Sequence, residues 1–118
     1  MSSLLTGLKI LDFTTLLPGP FATMVLADLG AEVVRIESPT RMDLARIMPP
    51  FVDDEGKISC FHAYVNRNKK SVTLDLKNKE SFSIIERLLN HYDIIIEQFR
   101  PGVMNRLGLS YERLSSIN

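Results

Sequence analysis

The segment Lys9–Pro39 constrains the fold most, because it predicts a strand, a loop, a helix, a turn and a second strand in order. Lys9–Phe13 is a short apolar strand, Thr14–Pro18 is a loop, and Glu32–Glu37 is the second strand. Such a βαβ unit has a right-handed crossover, which makes its two strands parallel. The sequence therefore predicts the start of a parallel sheet.

The helix of this unit has recognisable ends. Gly19-Pro20 begins it, because proline is tolerated at the first helical position, and Gly30 ends it, because glycine accepts a left-handed backbone. Ligands of such folds bind beyond the carboxyl ends of the strands, which here are the loops Thr14–Pro18 and Ser38–Met42. The first loop lacks the glycine spacing of a dinucleotide fingerprint, so NAD or FAD is not expected.

The rest of the chain continues the alternation of strands and helices. The pattern predicts a short helix over Ile58–Val65, a strand over Ser71–Leu76, a helix over Lys79–His91 capped by Asn78, a strand over Asp93–Phe99, and short helices over Pro101–Gly108 and Tyr111–Ile117. Thr40–Lys57 is predicted to be an irregular surface excursion. The fold class is α/β, with a Rossmann-like, mainly parallel sheet and flanking helices.

Composition limits the classes of partner. The chain has 118 residues, of which 45% are hydrophobic, enough for one domain. Its 14 basic and 14 acidic residues balance, so no net electrostatic field favours binding to nucleic acid or to a membrane surface. No signal peptide is predicted, and the sequence contains no apolar run of the ~18 residues that cross a bilayer. The single cysteine, Cys60, excludes a disulfide within the chain, fits a cytoplasmic location, and is predicted to be a buried structural thiol.

Several polar residues receive structural interpretations. The basic cluster Asn66–Lys70 is predicted to be a solvated turn rather than an anion site. Asp12, at a strand end, is expected to anchor the following loop, and Asp28 is expected on a helix surface. His62 and His91 have no Ser, Cys or Asp residue at a spacing that would indicate a catalytic pair, so both are expected to be structural. No metal site is predicted.

Four blocks of sequence, taken in order, carry a family resemblance. They are GLKILDF with the segment that follows it, NRNKKSVTLDLK, DIIIEQFRPGVMNRLGL and SYERLSSIN, at Gly7–Pro39, Asn66–Lys77, Asp93–Leu109 and Ser110–Asn118. The chain resembles the family III CoA-transferases, a group that includes formyl-CoA transferase, carnitine CoA-transferase and the α-methylacyl-CoA racemases. The resemblance covers nearly the whole chain and is weakest over Thr40–His62.

The resemblance implies a site for coenzyme A at the strand ends. A protein that binds CoA must hold an adenine, phosphates and a pantetheine arm, which calls for cations and an apolar slot. The residues at positions where the family contacts CoA are Leu16, Leu17, Ser38, Leu74, Lys77, Gln98, Phe99, Arg106 and Leu107.

This sequence departs from the family pattern at three of those positions. Leu17 stands where some transferases carry glutamine, which puts formyl-CoA-type chemistry in doubt and looks more like the racemase branch or transferases of bulky substrates. Ser38 stands where many members carry a cation; Arg41 is either its substitute or a solvated loop residue. Gln98 replaces the usual asparagine.

The resemblance implies a reaction whose catalytic group is not on this chain. Family transferases use an aspartate nucleophile that forms a mixed anhydride and then an aspartyl-CoA thioester, and the racemases use an acid and base pair. Neither the nucleophile nor the acid and base pair is assigned to a residue of this chain. Residues 1–118 are thus expected to be the N-terminal part of the CoA-binding, Rossmann-like large domain and to be inactive alone. The whole protein is expected to be an interlocked homodimer that acts on acyl-CoA and carboxylic acids.

Two other functions stay open at this point. One is a fragment of an enzyme like the α-methylacyl-CoA racemases. The other is of a different class, a non-catalytic α/β binding or interaction module whose open sheet edge needs a partner.

Overall fold

A computed structural model describes residues 2–118 and contains one four-stranded parallel sheet. The strands are β1 (Lys9–Asp12), β2 (Glu32–Glu37), β3 (Lys70–Thr73) and β4 (Ile94–Ile96). Their spatial order is β3-β2-β1-β4, and every neighbouring pair is parallel. The α/β class and the parallel βαβ unit are confirmed.

Short helices connect the strands. They are α1 (Pro18–Asp28), α2 (Cys60–Val65), α3 (Ser81–Leu89), α4 (Val103–Arg106) and α5 (Tyr111–Ser115), with a 3₁₀ turn at Leu44–Ile47. Gly30 has φ +104° just after α1, as its role in ending that helix requires. Ser59 and Ser110 cap α2 and α5 by accepting backbone N–H bonds. The predicted excursion at Thr40–Lys57 is irregular apart from the 3₁₀ turn and one bridge between Phe51 and Ser59.

The sheet buries an apolar cluster on each face. Alternation along β1 sends Leu11 to one face and Ile10 to the other. The larger cluster packs α3 and α5 against the sheet through Ile85, Leu89 and Leu114. The smaller cluster packs α1 against the opposite face, so helices cover both sides.

Three strands are shorter than predicted, and the first of them, β1, ends at Asp12 rather than Phe13. β3 ends at Thr73 rather than Leu76, because its partner β2 ends at Glu37; the Leu74 N–H donates the last ladder bond to the Glu37 carbonyl oxygen at 2.9 Å. β4 ends at Ile96 rather than Phe99, because its partner β1 ends at Asp12. β4 is an edge strand, so its three isoleucines are only half-buried.

The expectation of a buried thiol at Cys60 is wrong. Cys60 is the first residue of α2 and its side chain is only half-buried. In the described part of the chain, no helix is both long and apolar enough to cross a membrane.

Candidate functional site

The carboxyl ends of the four parallel strands meet along one edge of the sheet. Most of the predicted site residues follow those ends directly. Leu16-Leu17 comes after β1, Ser38 after β2, Leu74 after β3 and Gln98-Phe99 after β4. The topology therefore brings these segments to the edge where parallel α/β folds bind ligands.

The loop after β1 exposes two leucines on a constrained backbone. Leu16 is 38% exposed and Leu17 is 49% exposed. Leu16 has φ +64°, a left-handed conformation that is uncommon for a residue with a Cβ atom. Such a conformation costs about 1–3 kcal/mol and persists only when the surrounding structure imposes it.

Three side chains outside this loop hold its backbone, one from the adjoining strand end and two from distant segments. The carboxylate of Asp12 accepts the Thr14 N–H at 2.8 Å, and the carboxylate of Asp43 accepts the Leu16 N–H at 3.2 Å. Gln98 Nε2 donates to the carbonyl oxygen of Thr15. The expected anchoring role of Asp12 is confirmed.

Gln98 also connects the loop to the start of α1. Its Oε1 accepts the Gly19 N–H at 3.0 Å while its Nε2 binds the loop carbonyl, so both ends of the amide are engaged. Gly19 itself lies against the loop. A Cβ atom at this position would lie 2.2 Å from Thr14 Cβ, so glycine is needed for the close approach.

Beneath the loop, the α1 face of the sheet buries a lysine and an aspartate. The Lys69 side chain is 2% exposed and that of Asp12 is 0% exposed. Lys69 Nζ lies 3.4 Å from Asp12 Oδ2 and donates to the Pro20 carbonyl oxygen at 3.0 Å and to Asn66 Oδ1 at 3.2 Å. The prediction that this basic cluster is a solvated turn is therefore wrong for Lys69, whose ammonium group points inward.

Arg67, in the basic cluster Asn66–Lys70, is exposed and binds the last residue of α1. Its guanidinium group forms an ion pair with Asp28 at 2.6 Å and stacks on the ring of Tyr64, with 4.7 Å between the guanidinium carbon and the ring centroid. Asp28 therefore lies on the helix surface, as predicted.

A second buried ionic group centres on Arg35 of β2. Its guanidinium group pairs with Asp43 and donates to Glu37 at 2.6 Å. Glu37 also forms a bidentate pair with Arg46, with N–O distances of 2.7 to 3.1 Å. His62 Nε2 lies 3.1 Å from Arg35 Nη1, which makes it the acceptor of that contact because arginine only donates.

Burial and nearby charges shift the pKa values of side chains in both buried ionic groups. Desolvation lowers the pKa of His62, and the positive charges of Arg46 and Arg35 lower it further. Desolvation also lowers the pKa of Lys69, opposed by the nearby Asp12 carboxylate. Burial alone would raise the pKa of Glu37, but Arg46 and Arg35 outweigh it and hold that pKa below its ordinary value.

A separate cavity brings three predicted residues together. It measures about 490 Å³ and is lined by Lys77, Arg106 and Leu107, with further walls from α3 and the segment before α5. Four described residues of its lining carry cations and none carries a carboxylate: Lys77, Lys79, Arg106 and Arg113. Its apolar surface comes from side chains that include Leu76, Phe82, Ile85 and Leu109.

One cation of this cavity is held in place. The guanidinium carbon of Arg113 lies 3.4 Å from the centroid of the Phe82 ring, and Arg113 Nη1 donates to the Gly108 carbonyl oxygen at 3.0 Å. A cationic rim over an apolar floor suits a ligand that combines phosphates with a flat apolar group.

The remaining predicted residues lie outside this cavity. The Ser38 hydroxyl accepts the Thr40 and Arg41 N–H groups, at 3.2 and 3.0 Å, and so closes its own turn. Leu74 is buried in the larger apolar cluster at 7% exposure. Phe99 lines a second cavity, of about 800 Å³, beside β4.

The sequence analysis missed Arg35, Asp43 and the inward direction of Lys69. A signal was present for Arg35, which interrupts the apolar run of the strand EVVRIE on the same face as the buried Val33. Its carboxylate partner Asp43 lies in the irregular excursion, where no periodicity marks it. Within residues 2–118, no cluster of three His, Cys, Asp or Glu side chains is arranged to hold a metal ion.

Comparison with known proteins gives the family. The profile of the family described as "CoA-transferase family III" matches residues 5–118. The chain belongs to CoA-transferase family III. It is 43% identical over 112 residues to an acetyl-CoA:oxalate CoA-transferase of Acetobacter aceti, covering 95% of this chain and 28% of that protein. It is 45% identical over 114 residues to a human succinyl-CoA:glutarate CoA-transferase, covering 96% of this chain and 25% of that protein.

Solved structures of similar proteins share the fold. A CaiB/BaiF family protein from Brucella suis superposes with a TM-score of 0.89 at 38% identity, covering 100% of this chain and 32% of that one. A hypothetical protein from Mycobacterium tuberculosis superposes with a TM-score of 0.86 at 39% identity, covering 99% and 31%. The chain thus spans between a quarter and a third of the length of these relatives.

Proposed function

We propose that this chain is the CoA-binding portion of a family III CoA-transferase, which moves CoA between carboxylic acids through an aspartyl-CoA intermediate. The observation that carries the proposal is the cationic cavity, which gathers four positive side chains in a chain of net charge zero. Both curated relatives named above are CoA-transferases, which favours transfer over racemisation.

The cavity supplies the interactions that the nucleotide end of CoA requires. Arg106 and Lys77 on the rim offer charge-assisted hydrogen bonds to phosphate oxygens, the stronger class of protein hydrogen bond. Leu76 and Leu107 offer apolar surface to the adenine. Arg113 is already oriented by its contacts with Phe82 and Gly108, so little side-chain freedom is lost when it meets an anion.

The loop after β1 is proposed to face the other end of the CoA thioester. Leu16 and Leu17 present apolar side chains beyond the end of β1 on a backbone that is already fixed. An apolar, ordered surface suits a pantetheine arm and an acyl group, because both bury methylene groups on binding.

No residue of this chain is assigned the role of nucleophile. Asp12 is fully buried, and its carboxylate already accepts hydrogen bonds from Thr14 and Thr23 and lies beside Lys69. Asp28 is engaged by Arg67 on the surface of α1. The proposal therefore places catalysis elsewhere in the whole protein, which we propose to be a cytoplasmic interlocked homodimer.

Calorimetric titration of the chain with CoA tests the proposal. Replacing Arg106 with Met should weaken CoA binding by about tenfold, because a hydrogen bond to a charged group contributes about 1.5–3 kcal/mol and 1.4 kcal/mol is tenfold. Arg87→Met is the control, since Arg87 is exposed on α3 and lines neither cavity described above. Equal affinity in the two variants, or no binding by the wild-type chain at millimolar CoA, would contradict the assignment.

A further inference from the structure

Three consecutive residues of the loop after β1 are each held by a side chain from a different part of the chain. Asp12 at the end of β1 binds the Thr14 N–H, Gln98 beyond β4 binds the Thr15 carbonyl oxygen, and Asp43 binds the Leu16 N–H. Asp43 lies 27 residues from Leu16 in the sequence, within the irregular excursion. Its contact is therefore a long-range restraint on the loop rather than part of a local turn.

Asp43 is itself rigidly placed. Its side chain is 2% exposed and forms an ion pair with the equally buried guanidinium group of Arg35. Arg35 binds Oδ2 of Asp43. Oδ1, which accepts the Leu16 N–H, also accepts the Ala45 N–H at 3.0 Å and so caps the 3₁₀ turn. A carboxylate with both oxygens engaged in this way has no freedom to follow the loop, so the loop must conform to the carboxylate.

The held residue is the one whose backbone is unfavourable. Leu16 has φ +64°, and it is the N–H of this residue that Asp43 accepts. Strained backbone of this kind is found where it serves a site and is maintained by the surrounding structure. Without the carboxylate, Leu16 would relax toward an ordinary conformation and its side chain would point elsewhere.

We propose that Asp43, fixed by Arg35, is a positioning residue for the thioester end of the CoA site. It acts through Leu16 and makes no contact with the ligand. This inference rests on the proposed function, because that proposal places the acyl and pantetheine end of the ligand against Leu16 and Leu17. It assigns a substrate-related role to the excursion at Thr40–Lys57.

Three variants separate positioning from general stability. Asp43→Ala removes the acceptor for the Leu16 N–H, whereas Asp43→Asn keeps one oxygen that can accept it and loses the oxygen that faces Arg35. Glu37→Ala is the matched control, because Glu37 also pairs with buried Arg35 but does not touch the loop. The ligands are acetyl-CoA and adenosine 3′,5′-bisphosphate, which carries only the nucleotide end of CoA.

The expected result is selective. Asp43→Ala should bind acetyl-CoA about tenfold more weakly than the wild type, a change equivalent to about 1.4 kcal/mol. It should bind the bisphosphate as the wild type does. Asp43→Asn should recover only part of the acetyl-CoA affinity, because its amide nitrogen would face the Arg35 guanidinium group as donor against donor. Glu37→Ala should bind both ligands as the wild type does. Equal losses for both ligands, or the same loss in Glu37→Ala, would overturn the inference.

Amide hydrogen exchange of the ligand-free wild-type chain gives a readout that depends on neither ligand nor variant. The Leu16 amide should be protected, and free exchange at Leu16 would overturn the positioning role even if Asp43→Ala failed to fold. If the wild-type chain bound neither ligand, the proposed function and the substrate role of Asp43 would both fail. Protection at Leu16 would then show that the restraint on the loop exists without that substrate.

Discussion

Replacing Lys69 with Met tests whether the buried ion pair between Lys69 and Asp12 stabilises the fold. The change keeps most of the apolar stem and removes the ammonium group. In the native chain that group lies 3.4 Å from Asp12 Oδ2 and donates to the Pro20 carbonyl oxygen and Asn66 Oδ1. All three acceptors lose a partner, and the Asp12 carboxylate stays buried with only its threonine donors.

The size of the effect follows from that burial. Removing one partner of a buried pair costs about 3–5 kcal/mol, because the other charge is left uncompensated. Thr14 and Thr23 still donate to Asp12, and the contact with Lys69 is long, so we expect a loss near the lower end, about 3 kcal/mol. This is a large fraction of the ~5–15 kcal/mol that stabilises a typical domain.

Urea unfolding followed by circular dichroism measures this loss. For a slope of ~2 kcal/mol per molar urea, the midpoint should fall by about 1.5 M. Lys70→Met is the matched control: it is the next residue, it is 71% exposed, and its contact with Glu32 is 3.6 Å. That control should lose less than ~1 kcal/mol, as exposed ion pairs do. A Lys69→Met variant as stable as Lys70→Met would refute the interpretation that the buried ammonium supports the fold.

Two further variants probe the same region. His62→Gln should flatten the fall in stability as pH drops below ~6.5, the ordinary histidine pKa, because the pKa of native His62 is lowered and the unfolded chain binds the proton first. Urea titrations at several pH values measure this fall, with a His91→Gln variant at an exposed position as the control. An unchanged pH profile in His62→Gln would contradict the prediction. Gly19→Ala should destabilise by about 1–3 kcal/mol because its Cβ would meet Thr14 at 2.2 Å. Thermal unfolding measures that change, and adding Thr14→Gly should recover part of it; a fully additive double variant would show that the clash is not the cause.

Elements governed by local pattern were predictable. Glu32–Glu37 is bounded by Gly30 and by Ser38-Pro39, and the structure gives β2 the predicted limits. The ends of β3 and β4 were not predictable, because each strand stops where its neighbour stops, and the neighbour was not known from sequence. A strand end is thus a property of the pair.

The candidate site was predictable in outline only. The family resemblance singled out Lys77, Arg106 and Leu107, which line one cavity. The restraints on the loop were not predictable, because they join residues far apart in sequence: Lys69 lies 57 residues from Asp12, and Gln98 lies 83 residues from Thr15. The parallel pairing of β4 with β1 brings Gln98 to Thr15, and Lys69 reaches Asp12 beside the first turn of α1, where it also contacts Pro20.

The central claim is that CoA binds at the carboxyl edge of this sheet, with its phosphates in the cationic cavity and its thioester end at the loop after β1. Backbone amide NMR spectra of the chain, recorded during a CoA titration, test that claim most directly. We expect the largest shifts at Lys77, Arg106, Leu107, Leu16 and Leu17. Shifts confined to the cavity beside β4, or none at millimolar CoA in a folded sample, would contradict the account.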